Sequence, residues 1–361
     1  MGADVRIASP IVNRRVAAPR PIGYPADTEF RLELLPMADL APGVVTLFGG
    51  SGFIGAQAVR ALARRGWRIR VAVRNPVLAI EVQPLGDPGQ IQFMRCDVTS
   101  AADVAAAVRG ANAVVNLVGV LHDGGGKRGF KSAHVEAARN IAQAAKAAGV
   151  ERVVQISAIG ADANSPSAYA RTKGEAENEI RAVYPDAVIL RPSLVFGADD
   201  GFLNRFAAMA TLAPALPLIG GGKTRFQPVY VGDVAEAVAR AVTRGDAAGR
   251  TYELGGPDIY TFREVLELVK RETGRDRLLA PIPFPVARLL GSLLQTVSLI
   301  GLTPPLTRDQ VVMLQKDNVV SPGAEGLAAL GVVHPASMES IAPSYLYRYR
   351  VGGQFAPSPA H

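Results

Sequence analysis

From residue 44 onward the apolar positions fall into two kinds of run. Val44–Phe48 is a short unbroken apolar run fit for a strand buried on both faces, and further strand-like stretches fall at Arg68–Val73, Ile91–Arg95, 113–118, 152–157 and 187–190. Between them, over 53–65, Ala101–Val108, 134–148 and 167–183, apolar residues recur every three or four positions, the spacing of a helix with one buried face. Strand–helix alternation of this kind implies right-handed crossovers and therefore an α/β fold built on a doubly wound parallel sheet. After Pro192 the alternation breaks up. Segments rich in Pro and Gly (213–222, 255–257, 281–285, 304–305) interrupt helical stretches at Phe262–Thr273 and 307–316, which marks a smaller C-terminal cap domain over the strand ends. Residues 1–41 lack sustained periodicity and are expected to form a disordered extension, with Met37 as an alternative start. The expected boundaries are 1–41 for the extension and 42–195 for the sheet domain, to which 225–255 returns. The cap and partner-docking region takes 196–224 and 256–350, and 351–361 is a tail.

Composition narrows the function. A single cysteine, Cys96, excludes an internal disulfide and suits a reducing compartment, and with only four histidines no metal-ligand spacing exists, so no metal is expected. The formal charge of +7 suits a phosphate-bearing ligand or an anionic membrane surface. No helix-turn-helix, zinc finger or aromatic-plus-basic signature accompanies it, so no nucleic-acid partner is expected. The uncharged stretch 289–307 is broken by polar residues and by Pro304-Pro305, leaving an apolar part shorter than the roughly 20 residues that span a bilayer. It reads as a buried helix, or as a surface helix that docks on a membrane or a partner. Up to residue 26 four arginines face one acid, a bias weakly similar to a transit peptide.

The sharpest chemical signal directly follows the first strand: Gly49, Gly50, Ser51, Gly52, Phe53, Ile54, Gly55. Glycines at 49, 52 and 55 serve a tight turn, backbone approach to a pyrophosphate, and close helix–strand packing, with the helix N-terminus facing the phosphates. The sheet is therefore read as a Rossmann-type, dinucleotide-binding one. At the end of the second strand the chain reads Val73-Arg74-Asn75, with no acid before Glu81. A carboxylate there would bind the ribose 2′-hydroxyl of NAD, whereas Arg74 can pair with a 2′-phosphate, so NADP(H) is preferred over NAD(H). Tyr169 and Lys173 stand one helical turn apart in Y-x-x-x-K, and Ser157 precedes them at a strand end. An ammonium near the phenol lowers its pKa for proton exchange, and Ser157 could hold the reacting oxygen. Lys173 equally suits binding of the nicotinamide ribose. The segment from Arg191 and Pro192 to Gly197 follows the sixth strand and would sit by the nicotinamide, and Asp233 is placed to cap a helix.

With these motifs in order, Val44 to about Glu253 resembles the extended short-chain dehydrogenase/reductase superfamily. The finer resemblance is to an atypical branch, the nucleotide-binding accessory subunits of respiratory complex I (NADH:ubiquinone oxidoreductase) and their bacterial relatives. It rests on Asn116-Leu117-Val118-Gly119-Val120-Leu121, His134-Val135-Glu136, Ser157-Ala158-Ile159-Gly160-Ala161-Asp162 and the run from Phe196 to Phe206. More telling are Leu306-Thr307-Arg308-Asp309-Gln310, Lys316-Asp317-Asn318-Val319-Val320 and Tyr345-Leu346-Tyr347-Arg348-Tyr349-Arg350, since ordinary sugar epimerases look different there. The match runs from Val44 to about Arg350. The resemblance implies that Asp97 and Val98 hold the adenine and that Asn116, Val118 and Gly119 pass under the cofactor. It also implies tightly held NADPH and a role in stabilising the complex rather than turnover. His134 departs from the Asn of many extended relatives. Three readings stay open: a cofactor-holding subunit or assembly partner of a membrane-bound NADH dehydrogenase, with peripheral membrane contact; a free-standing oxidoreductase or epimerase acting on a small carbonyl, nucleotide-sugar or quinone precursor; and a redox-responsive regulator. The intact Ser157, Tyr169 and Lys173 favour the second. Under the first, the protein sits on the cytoplasmic face of a bacterial inner membrane or on the mitochondrial matrix side.

Overall fold

The computed structural model describes residues 39–121, 123–126, 129–295 and 306–355. The expectations for residues 1–38, for 296–305 of the uncharged stretch and for 356–361 of the tail lie outside them. Six strands, β1 (Val44–Phe48), β2 (Arg68–Val73), β3 (Ile91–Arg95), β4 (Ala113–Asn116), β5 (Arg152–Ile156) and β6 (Val188–Pro192), follow the expected runs. Beyond them lie β7 (Val195–Phe196), β8 (Ala215–Ile219), β9 (Arg225–Phe226), β10 (Val229–Tyr230), β11 (Thr251–Leu254), β12 (Tyr260–Thr261) and β13 (Leu278–Ile282). The main sheet is wholly parallel, in the order β11-β6-β5-β4-β1-β2-β3. The winding direction reverses between β1 and β4, whose ends are in register at Phe48 and Asn116. A crevice outside the carboxyl ends of the strands at such a reversal is where open α/β sheets bind ligands.

Helices cover both faces. α1 (Phe53–Ala63) turns Gly55, Ala58, Val59 and Leu62 inward at helical spacing. α2 (Ala101–Val108), α3 (Ala137–Ala147) and α4 (Ala168–Val183) pack in that order on the opposite face. α5 (Leu203–Leu212) belongs to the cap, and α6 (Val231–Thr243) returns to lie beside α1. α7 (Phe262–Thr273) opens with a capping box in which Thr261 and Glu264 each bind the other's backbone N–H. It packs with α5 and the parallel β8–β13 ribbon around Phe206, Phe226 and Phe262 to give the cap its own core. α8 (Phe284–Gln295) and α9 (Arg308–Met313) follow, with the C-terminal turns behind them. Two of the resembling motifs meet here. Asp200 accepts hydrogen bonds from the N–H groups of Leu203 and Phe202 at 2.6 and 2.8 Å and from the Tyr345 hydroxyl at 2.9 Å.

The structure departs from the expected elements in three places. Residues 131–136 form a wide π turn (Lys131–Glu136) rather than the start of α3. Pro76–Leu85, with a proline inside it and no helical period, is a 3₁₀ segment that the hydrophobic pattern did not mark. Asp233 does not cap α6; it lies inside the first turn and accepts the Ala336 N–H at 2.8 Å, tying a distant loop to the helix.

Candidate active site: a nucleotide cradle at the sheet reversal

The loop after β1 is shaped by its glycines. Gly49 has φ +79°, a left-handed conformation, and a Cβ there would sit 3.2 Å from the Leu117 backbone. At Gly55 a Cβ would lie 2.2 Å from the Gly49 carbonyl oxygen, so only glycine lets α1 start this close to the turn. Gly52 differs: a Cβ would meet only the Gly49 oxygen at 3.4 Å, an ordinary contact, so the protein itself does not require glycine there. Gly52 is also the N-cap of α1 and offers no side-chain cap, which leaves N–H groups of the first turn directed outward at the positive end of the helix. A helix start cleared of side chain and cap fits the pyrophosphate of a dinucleotide. Gly50 is packed against Val71, Leu47 and Val59, Ser51 and Ile54 are half-buried, and the Phe53 ring lies close to Gly197 in the loop after β7.

Across the reversal, α4 carries the other side of the crevice. Ser167 caps it, accepting the Ala170 N–H at 3.2 Å. Lys173 is buried, and its Nζ donates to the Ile156 carbonyl at 3.2 Å. A Cβ on Gly119 would lie 3.1 Å from that Nζ, so the ammonium faces the chain leaving β4. Burial lowers the Lys173 pKa to about 8, against the opposing pull of Glu177. The Tyr169 phenol is pushed up to about 12, again by burial, which corrects the expectation that Lys173 lowers it. Tyr169 meets Phe130 and His134 edge to face, at centroid separations of 5.9 and 5.6 Å.

His134 is locked. Its Nε2 accepts the Val120 N–H at 3.1 Å, so Nδ1 bears the proton and donates to Thr172 Oγ1 at 2.9 Å. That hydroxyl in turn donates to the Ala168 carbonyl at 2.8 Å. Burial and the Lys173 charge lower the His134 pKa to about 3, so the ring is neutral at physiological pH and ties the β4 loop to α4.

Ser157 is committed elsewhere. Its hydroxyl, buried, donates to Glu177 Oε1 at 2.5 Å. Arg191 donates to the same carboxylate through Nε at 2.9 Å and Nη2 at 2.7 Å, and its Nη1 lies 3.7 Å from Glu253. Nearby, Asn318 from the C-terminal region donates to the Ile159 carbonyl at 3.4 Å and lies 2.7 Å from the Ser193 hydroxyl. It thereby closes over the ends of β5 and β6.

The remaining expected residues are placed as follows. Arg74 is exposed at the end of β2 and, among the described residues, pairs with no carboxylate. Asp97 Oδ1 accepts from Thr99, holding its own turn, and Val98 is half-buried with its carbonyl bound to Asn140. Asn116 is buried and internally bound, to Gln155 and to the Val118 N–H. Pro192 is buried, its carbonyl accepting the Ile159 N–H. Sequence reasoning missed Glu177, Thr172 and Asn318 as partners of the site. The single available signal was Glu177 one helical turn after Lys173. Among the described residues no group of three or more His, Cys, Asp or Glu side chains could hold a metal ion.

A Rossmann-type sheet, a capless helix start after a glycine turn, and Tyr169 with Lys173 on the facing helix define a nucleotide-dependent protein of the extended reductase kind. The chain belongs to the NAD dependent epimerase/dehydratase family, whose profile matches residues 45–255. Within that setting it is similar to a protein of *Arabidopsis thaliana* named NADH dehydrogenase [ubiquinone] 1 alpha subcomplex subunit 9, mitochondrial. The two are 34% identical over 318 residues, covering 86% of this chain and 79% of that one. The protein of the same name from *Mus musculus* is 35% identical over 309 residues, 85% of this chain and 80% of its own. Among solved structures, the *Escherichia coli* NADPH-dependent quinone oxidoreductase QOR2 with NADPH superposes with a TM-score of 0.65 at 20% identity. It covers 84% of this chain and 99% of that one, and shares the fold.

Proposed function

We propose that the protein is an NADP(H)-binding accessory or assembly protein of a respiratory NADH:ubiquinone oxidoreductase, and that the nucleotide serves mainly as a structural element. The observation that carries this reading is the Ser157 hydroxyl, whose one proton is given to the buried Glu177 carboxylate. It is therefore not a donor to a reacting oxygen, and the phenol at about 12 is a weak proton donor at neutral pH. The nucleotide-facing half keeps what binding requires: the open start of α1, the Lys173 ammonium and the exposed Arg74 guanidinium for a 2′-phosphate. The partner part of the reading draws on the names of the relatives. The sheet domain (42–195 with 225–255) holds the nucleotide, and the cap (196–224 and 256–350) docks on the complex. The site of action is the cytoplasmic face of a bacterial inner membrane, or the matrix side in a mitochondrion. No helix among the described residues is long and apolar enough to cross a membrane, and the attachment in this reading is peripheral.

The test is a native gel of mildly solubilised membranes carrying a tagged copy, with the nucleotide released from the purified chain identified. The tag is expected to migrate with the large NADH dehydrogenase, and NADPH to be recovered in excess over NADH. A tag that runs alone, with freely exchanging nucleotide, overturns the reading. The second reading, a free-standing NADP-dependent oxidoreductase or epimerase acting on a small carbonyl, nucleotide-sugar or quinone-precursor substrate, is favoured by Tyr169 and Lys173 sharing one face of α4. It requires a substrate whose turnover Tyr169→Phe abolishes while nucleotide binding is spared.

A further inference from the structure

The first turn of α4 has a second anchor that its own sequence does not supply. Ser167 already caps the helix through Ala170. In addition Asp309, which lies 142 positions further along the chain, places its carboxylate on the same turn. Oδ1 accepts the Ala168 N–H at 2.7 Å, and Oδ2 accepts the Ser167 hydroxyl at 2.9 Å and the Tyr169 N–H at 3.1 Å. Three donors to one carboxylate at the positive end of a helix make a short, charge-assisted clamp.

The clamp is itself held firmly. α9, which carries Asp309, opens with a capping box between Thr307 and Gln310, and Val311 is fully buried. Gly291 of α8 lies so close behind it that a Cβ there would sit 2.9 Å from the Arg308 nitrogen. Further along, α4 is anchored independently by Thr172 through His134 and by Glu177 through Arg191. Without Asp309 the helix therefore keeps its cap and its core contacts, while its first turn, with Tyr169, is released from the cap domain.

We propose that Asp309 is a positioning residue for the nicotinamide half of the nucleotide site: it fixes the turn that presents Tyr169, and with it the approach to Lys173, and has no part in the adenine half. The proposal rests on the nucleotide-binding reading above. The adenine half is built from the glycine loop, Arg74 and Asp97, which lie at the ends of β1, β2 and β3, elements separate from α9. Two probes therefore separate a positioning role from general damage: NADPH, which spans both halves, and adenosine 2′,5′-bisphosphate, which fills only the adenine half.

The experiment is calorimetric titration of the full-length protein, as the wild type, Asp309→Ala and Asp309→Asn, with each probe. For Asp309→Ala the NADPH Kd is expected to rise about tenfold, the scale of one lost charge-assisted hydrogen bond, with adenosine 2′,5′-bisphosphate changed by less than about twofold. Asp309→Asn keeps the Oδ1 acceptor and should fall between, which also serves if the alanine variant does not fold. Parallel weakening of both probes, or an unchanged NADPH Kd in both variants, overturns the role of Asp309. A wild-type chain that binds neither probe overturns the nucleotide reading itself, a different failure.

Discussion

The glycines of the first turn look alike in the sequence and are not alike in the fold. Gly55 is required by packing, since any Cβ would run into the Gly49 carbonyl at 2.2 Å. Gly52 is not required by packing, since a Cβ there would meet only the Gly49 oxygen at 3.4 Å. Gly55→Ala should therefore lower unfolding stability by about 1–3 kcal/mol in urea titration without nucleotide, as overpacking and backbone shifts do. Gly52→Val should leave that stability nearly unchanged and instead abolish the rise in melting temperature that NADPH gives the wild type. Equal losses in both variants without nucleotide would remove the distinction. Lys173 makes a second claim at this scale. Its folded pKa of about 8 lies below the ordinary lysine value of 10.5, so between those values the unfolded chain binds more protons and stability rises with pH. Below pH 8 the buried charge is a standing cost on the order of 3 kcal/mol. Lys173→Met is thus expected to be more stable than wild type at pH 7, with the gap closing toward pH 10.5. A gap that stays constant with pH would show that packing, not charge, sets it.

At the scale of elements, α4 is where the molecule converges. His134 joins it to the β4 loop, Glu177 to β5 and β6 through Ser157 and Arg191, and Asp309 to the cap. Each link comes from a different distance along the chain, which explains what the sequence could and could not reveal. Val44–Phe48 was legible to the residue because a strand buried on both faces reads as a local apolar run, and Ile91–Arg95, an edge strand with Gln92 and Arg95 exposed, from its place in the strand–helix alternation. The helix at 262–273 was legible because Thr261 and Gly274 mark its ends. Pro76–Leu85 was not, since a 3₁₀ run with an internal proline has no period to detect. The π turn before α3 hides inside an alanine-rich helical pattern, because widening one turn changes no residue type. In the site, the glycine turn and Y-x-x-x-K are local and were read directly. The direction of the Ser157 proton was not, because it depends on Glu177 twenty positions later being held in place by Arg191 from another strand. The Tyr169 pKa was misjudged for the same reason: spacing identifies the neighbouring ammonium but not how deeply the phenol is buried.

Taken as a whole molecule, the protein leaves an aliphatic face of one helix exposed. In α8 the residues turned toward the cap are Phe284, packed against its core, Ala287, fully buried, and Gly291, which lies against the backbone of Thr307 and Arg308. Four aliphatic side chains face outward, with Val286, Leu289, Leu290 and Leu293 exposed at 48%, 63%, 39% and 61% and spaced i, i+3, i+4, i+7. That spacing is a continuous stripe along one helix face, and a stripe of this kind on a folded chain marks a contact surface rather than a core. The cap has its own core around Phe206, Phe226 and Phe262, so the stripe is not needed to hold the cap together. In the proposed function this face is what docks on the respiratory complex. Replacing Val286 and Leu289 together by Asp should leave the melting temperature within about 2 °C and the NADPH content intact, because changes at exposed positions cost little. The same change should remove the tagged protein from the NADH dehydrogenase band on a native gel, since two side chains already about half covered forfeit roughly 2–3 kcal/mol of apolar burial at an interface, on the order of thirty- to a hundredfold in affinity. Retention of the variant in that band would place docking on another face, and loss of bound NADPH along with the band would mean that α8 supports the fold after all.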